Sequence, residues 1–152
     1  MITMPQNTSR TLHLLALMKK GDDAFNSRDF AGMTAAHHPE IIAHIPGSAE
    51  PIDGQPAHAK MIKEMIRIFP DVHVYNDPYP IQFGSGDWTT VITRATGTFS
   101  GEMTLPNGKV IAPTGKAYDL TFATSARWDG DLIIEEFVSL DSDLRAQQIG
   151  LA

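Results

Sequence analysis

The rhythm of apolar residues changes at Pro70 from a repeat of about 3.6 to a repeat of about two, and no other feature constrains the fold as tightly. Upstream, Leu14, Leu15, Met18 and Phe25 form a stripe over Thr11 to Asn26, with Lys19, Lys20, Asp22 and Asp23 expected on the solvent side of that helix. Asp29 is placed to cap a short helix over Phe30 to Ala36, which stops before Pro39. Glu40 to Ile45 reads as a short strand closed by Pro46-Gly47, and Gly47 to Gln55 as loop. A third helix over Pro56 to Phe69 carries His58, Met61, Ile62, Met65, Ile68 and Phe69 at helical offsets, bracketed by Pro56 and Pro70. Downstream, strands are predicted at Val72 to Asn76 continuing through Ile81 to Phe83, at Trp88 to Phe99, at Tyr118 to Trp128 and at Leu132 to Leu140. Asp129-Gly130 is expected to supply the two central residues of a hairpin turn, both at positive φ. Helices first and an antiparallel meander after predict an α+β fold, with the helices against one face of a strongly curved sheet.

Composition narrows the chemistry. A chain of 152 residues is read as one domain over residues 11–150, preceded by an N-terminal tail at 1–10. With no cysteine, a thiol nucleophile, a zinc ribbon and an iron–sulfur cluster are excluded, and stability must come from packing. Twelve basic against 18 acidic residues give a net charge of −6 with no basic cluster beyond Lys19-Lys20, which argues against nucleic acid as a partner. No apolar run approaches the roughly 20 residues of a bilayer span, and Met1 to Arg10 lacks the pattern of a secretory signal, so the expectation is a cytoplasmic protein with no membrane partner. The segment Gly101 to Gly115 is too long for a tight hairpin and reads either as a lid over a pocket or as an oligomer contact.

The ordered motifs resemble a family. His38-Pro39-Glu40, His44, Pro46-Gly47 and Gly54 precede an amphipathic helix ending Phe69-Pro70-Asp71. Gly97-Thr98-Phe99-Ser100-Gly101, Pro113-Thr114-Gly115-Lys116, Arg127-Trp128-Asp129-Gly130, Glu135-Glu136-Phe137, Asp141 and Gln148-Ile149-Gly150 follow in order. This series is similar to the SnoaL-like polyketide cyclases. The resemblance implies an NTF2-like (cystatin-like) cone, a curved antiparallel sheet wrapped around N-terminal helices with an apolar cavity, usually dimeric. It also implies aldol-type ring closure without a cofactor, with an aspartate as acid/base that matches Asp141 here. Phe99 stands where many relatives carry His and Phe137 where they carry Trp, so one polar pocket group of the cyclases is missing.

Individual residues leave alternatives open. Asp141 follows the last strand with Phe137 and Ser139 expected on its face, and it reads either as an acid/base in an apolar pocket or, with Ser142, as the cap of a helix over Asp143 to Gln148. His44, inside a short apolar strand, reads either as a polarising or relaying group or as a satisfied core histidine. Alternation puts Tyr118, Leu120 and Phe122 on the core face and Asp119 on the other, although a pocket role for Asp119 stays open. Glu135 and Glu136 point to opposite faces and are expected to be solvated or paired with Arg94 or Arg127. His37 and His38 are expected in an exposed turn, His13, His58 and His73 are taken as structural, and no metal site is expected because the histidines lack helical ligand spacing. Trp88, Phe137, Tyr118, Met65 and Phe99 are the expected pocket walls, with Tyr79 and Met61 as further candidates.

The expected function is proton-transfer chemistry on a small, mostly apolar carbonyl compound by a cofactor-independent homodimer, with Asp141 and His44 in the catalytic roles. A non-catalytic ligand-binding or scaffold domain, and a hydrolase or dehydratase using the same pocket, are the competing readings.

Overall fold

The computed structural model describes residues 8–151, so most of the tail expected at 1–10 lies outside the described residues. The elements run α1 (Ser9–Ser27), α2 (Phe30–Ala35), β1 (His37–His44), β2 (Ile52–Asp53), α3 (Gln55–Ile68), β3 (His73–Val74), β4 (Ile81–Ser85), β5 (Trp88–Thr98), β6 (Met103–Thr104), β7 (Val110–Ile111), β8 (Ala117–Asp129), β9 (Leu132–Leu140) and α4 (Ser142–Gln148). The architecture is α+β, as the change of period predicts.

Local chemistry sets the helix ends. Thr8 accepts a hydrogen bond from the Thr11 N–H and opens α1, and Asp29 accepts one from the Gly32 N–H to open α2. Arg28 ends α1 in the left-handed region at φ 63, where a side chain is normally disfavoured. Its guanidinium there donates to the carbonyls of Phe25, Pro70 and Val72, tying the helix end to the start of the sheet.

The main sheet has the order β2-β1-β9-β8-β5-β3, with β4 also on β5. The long antiparallel pair β5–β8 runs in register from Trp88 opposite Arg127 to Thr98 opposite Ala117. The sheet is not wholly antiparallel, because β1 lies parallel to β9. Strands so far apart in sequence meet only through tertiary packing, which no local pattern records. The expected single strand from Val72 through Phe83 is two, β3 and β4, each on β5. The β8–β9 turn is one residue later than expected: Asp129 pairs with Leu132, leaving Gly130 and Asp131 as the central residues, and Gly130 alone has positive φ, at 58. Glycine at the first central position is the pattern of a type II′ turn, which the ladder position of Asp129 selects.

A bulge matters more for function. The β8–β9 register shifts between Arg127 and Trp128, so Ile133 faces the core but the next inward residues are Glu136, Val138 and Leu140. Without that extra residue Glu135, Phe137 and Ser139 would share the face of Ile133.

The core joins Leu14, Met18 and Phe25 of α1 to Ile41 of β1, Val91 of β5, Tyr118 and Leu120 of β8 and Ile133 of β9. The segment Gly101 to Gly115 folds into the β6–β7 ribbon, a separate two-stranded sheet whose Met103 and Ile111 pack on the core. Its base is fixed to the end of α3, since the Ser100 and Gly101 N–H groups both donate to the Ile68 carbonyl. A Cβ at Gly101 would collide with the Arg67 carbonyl, so this approach requires glycine. Among the described residues, no helix is long and apolar enough to cross a membrane.

Candidate active site

Between the helices and the inner face of the sheet lies a cavity of about 170 Å³. Its walls are apolar: Met18 and Phe25 from α1, Ile62 and Met65 from α3, Leu120 and Phe122 from β8, Val138 and Leu140 from β9. Into this lining four titratable side chains project together, Asp22, His37, His58 and Glu136.

Each is aimed by its element. Asp22 lies four residues after Met18 and three before Phe25, on the buried stripe of α1 rather than on its solvent side. The Tyr79 hydroxyl donates to Asp22 Oδ2 at 2.5 Å. Burial pushes the Asp22 carboxyl up to about 6, against the lowering effect of the Tyr79 hydrogen bond. Burial, reinforced by the adjacent Asp22 charge, also raises the Tyr79 phenol above its usual range. Tyr79 therefore stays a neutral donor to the aspartate.

Glu136 is turned inward by the bulge. Its Oε1 lies 2.7 Å from His58 Nε2, and its Oε2 lies 3.8 Å from His37 Nε2, an ion-pair separation rather than a hydrogen bond. Burial opposes the Glu136 charge, yet the His37 and His58 rings outweigh it and hold the carboxyl well below its usual range. Burial likewise pulls the His37 ring down, but Glu136 outweighs it and leaves His37 more basic than usual. His37 Nδ1 is 2.7 Å from the Met33 carbonyl, which fixes the ring so that Nε2 faces the carboxylate. The two imidazoles lie tilted at 39° with centroids 4.2 Å apart, and both also line a groove bounded by Phe30, Gln55 and Lys63, so they stand between the cavity and that groove.

The polar wall thus holds a carboxyl that titrates near neutral pH beside an imidazole biased toward its cationic form. The first can take and return a proton, and the second can stabilise an oxyanion that forms as the proton leaves. His37, His58 and Glu136 also bring ligand-type atoms within 4.8 Å of one another. Here His58 Nε2 and Glu136 Oε1 are joined to each other by the hydrogen bond, while His37 Nε2 stands 3.8 Å from Oε2.

Of the residues singled out in the sequence, Met65 and Tyr118 line this cavity. Asp141 lies outside its lining and caps α4, accepting a hydrogen bond from the Leu144 N–H at 2.9 Å. His44 and Phe137 sit on the opposite face of the sheet, stacked at 4.1 Å, with Trp88 beside Phe137 at 6.3 Å. Phe99 is wholly buried next to Phe69. Asp119 is exposed and bonds Arg94 diagonally across the strands. Glu135 pairs with Arg127, as expected, and also with His44. His37, expected in an exposed turn, lies largely buried in the cavity wall, because β1 begins earlier than its sequence suggests. The overlooked signals were modest but present: His58 interrupts an otherwise apolar stripe of α3, and Asp22 keeps helical spacing with Met18 and Phe25.

Comparison with known proteins agrees with this architecture. Solved structures that share the fold include a proposed SnoaL-like polyketide cyclase from Jannaschia sp. (TM-score 0.83, 14% identity, covering 98% of this chain and 99% of that one). They also include IdmH, a proposed polyketide cyclase from Streptomyces antibioticus (TM-score 0.72, 21% identity, covering 90% of this chain and 98% of that one). A protein of ketosteroid isomerase-like fold from Catenulispora acidiphila, in complex with trimethylamine, matches with a TM-score of 0.71 at 14% identity, covering 90% of this chain and 93% of that one. No curated protein matches in sequence. The family model for SnoaL-like polyketide cyclases matches residues 16–149, nearly the whole chain, and the protein therefore belongs to the SnoaL-like polyketide cyclase family.

Proposed function

We propose that this protein is a cofactor-independent acid/base catalyst that moves a proton next to the carbonyl of a small, mostly apolar compound, as aldol-type cyclisation and isomerisation both require. The observation that carries the reading is the convergence of Asp22, His37, His58 and Glu136 on one wall of an otherwise apolar cavity. Asp22 takes the role expected of Asp141: its carboxyl, raised to about 6, is a base strong enough to accept a carbon-bound proton and an acid able to return it. Tyr79 orients the carboxyl. His37, held toward its cationic form by Glu136, stabilises the enolate oxygen. His58 fixes Glu136.

The competing reading, a binding or scaffold domain, would need walls without convergent acid and base groups. Membership of the cyclase family favours the catalytic reading without naming the substrate. We also infer a homodimer, because Phe83, Trp88 and Phe137 stand exposed on the sheet face away from the cavity.

The test is deuterium uptake at the α-carbon of small apolar ketones in D2O, followed by proton NMR. Wild-type protein is expected to accelerate exchange for at least one ketone of a panel matched to the cavity, and Asp22→Asn is expected to remove about 100-fold or more of that acceleration. Undiminished exchange in the folded variant would remove Asp22 from the role.

A further inference from the structure

The cavity has a second polar end. Its inward residues on β9 run Glu136, Val138, Leu140, a span of about 13 Å along the strand. Just beyond, α4 places Arg145 in the lining, together with Tyr118 of β8. The five other arginines all have partners: Arg10 with Asp87, Arg28 with three carbonyls, Arg67 with Glu64, Arg94 with Asp119 and Arg127 with Glu135. Arg145 differs. Among the described residues its guanidinium makes no hydrogen bond or ion pair, although it borders apolar surface and its charge reaches the Tyr118 phenol. A guanidinium carries five N–H donors and a permanent charge, so one that lines an apolar cavity without a protein partner is free to receive an anion there.

We propose that Arg145 receives the carboxylate of an elongated ligand whose slender apolar body fills the cavity and whose other end reaches Asp22 and His37. The inference rests on reading the cavity as the substrate site and names its substrate class: a carboxylic acid carrying its reactive carbonyl roughly one cavity length from the acid group. The 170 Å³ volume fits a narrow chain or a single ring, not a fused polycycle. At the opposite end the carboxylates of Asp22 and Glu136 flank the single cationic-leaning ring of His37, whereas Arg145 faces no carboxylate, so the carboxylate of a ligand is drawn to the Arg145 end. Tyr118 lines the same end of the cavity, and its phenol feels the Arg145 charge.

The experiment is calorimetric titration of the full-length protein with octanoate and with octanamide, which share chain length and differ in charge. Octanoate is expected to bind about tenfold to a hundredfold more tightly than the amide, the advantage falling as salt is added. Arg145→Met is expected to bring the two within about twofold, and Arg145→Lys to keep a preference for the acid. Arg145 is partly exposed on a short terminal helix, and circular dichroism of both variants checks that they fold. Equal binding of acid and amide, an acid preference that survives Arg145→Met, or no binding of either at millimolar concentration would each overturn the proposal. Deuterium exchange into a neutral ketone by the wild-type protein reads the proton-transfer wall separately. Intact exchange without acid preference removes Arg145 alone, and acid preference without exchange removes the catalytic reading alone.

Discussion

Glu135 and Glu136 are neighbours in sequence, and each bonds a histidine, yet the two pairs have little else in common. On the outer face Glu135 meets His44 at 3.1 Å with side chains 26% and 37% exposed, and Arg127 shares the same carboxylate. On the inner face Glu136 meets His58 at 2.7 Å with 9% and 6% exposed, and His37 is the further cation nearby. Water screens the first pair, so its geometry contributes little to stability. The second pair has given up hydration and depends on its partners to remain charged. One bulged residue decides which glutamate enters the cavity, and with it which histidines become candidates for chemistry.

The largest expected effect sharpens that contrast. Glu136→Ala leaves two buried imidazoles without their carboxylate and is expected to cost about 3–5 kcal/mol in chemical denaturation, whereas Glu135→Ala is expected to cost less than about 1 kcal/mol. Equal costs would break the comparison.

Next in size is a pH effect from the two inner carboxyls, which act in opposite directions. Asp22 holds its proton more tightly in the native state, at about 6, than the 3.8 of the unfolded chain, so its contribution is greatest below about 4 and is lost as pH rises toward 6. Glu136 is held low, so its contribution is present above the ordinary carboxylate range and is lost as pH falls through its native titration. Asp22→Asn should therefore gain stability relative to wild type between about pH 4 and 6, by at most about 3 kcal/mol. Denaturation series at the two ends of that window measure it. A gain in the opposite direction would mean that Asp22 is not a buried, raised carboxyl.

The smallest effect concerns the outer face. Phe137→Ser is expected to cost the monomer about 1–2 kcal/mol, because the ring is 39% exposed but stacks on His44, and to weaken self-association in sedimentation as well. Unchanged association would show that the outer aromatic patch is not a subunit contact.

The same contrast explains what the sequence disclosed. The helices, the strand-rich second half and the inward set Tyr118, Leu120 and Phe122 follow from periodicity, because burial of one face imposes it. The bulge does not, since an extra residue leaves composition unchanged while reversing the faces of Glu136 and Phe137. The resemblance led instead to Asp141, which caps α4, and the apolar run of β1 led to His44, whose side chain lies on the outer face beside Phe137. The sequence pointed past Asp22, which sits among charged neighbours but keeps its place on the stripe of Met18 and Phe25. Parallel pairing of β1 with β9, which brings His37 near Glu136, joins residues as far apart in sequence as His37 and Ile133, so no local pattern records it.

The most direct test compares the two aspartates through the pH dependence of α-proton exchange in a ketone that the wild-type protein turns over. The account predicts a rate that rises with pH and levels off above about 6, as Asp22 ionises, with Asp141→Asn following the same curve and Asp22→Asn losing the rise. A profile unchanged in Asp22→Asn and abolished in a folded Asp141→Asn would contradict it.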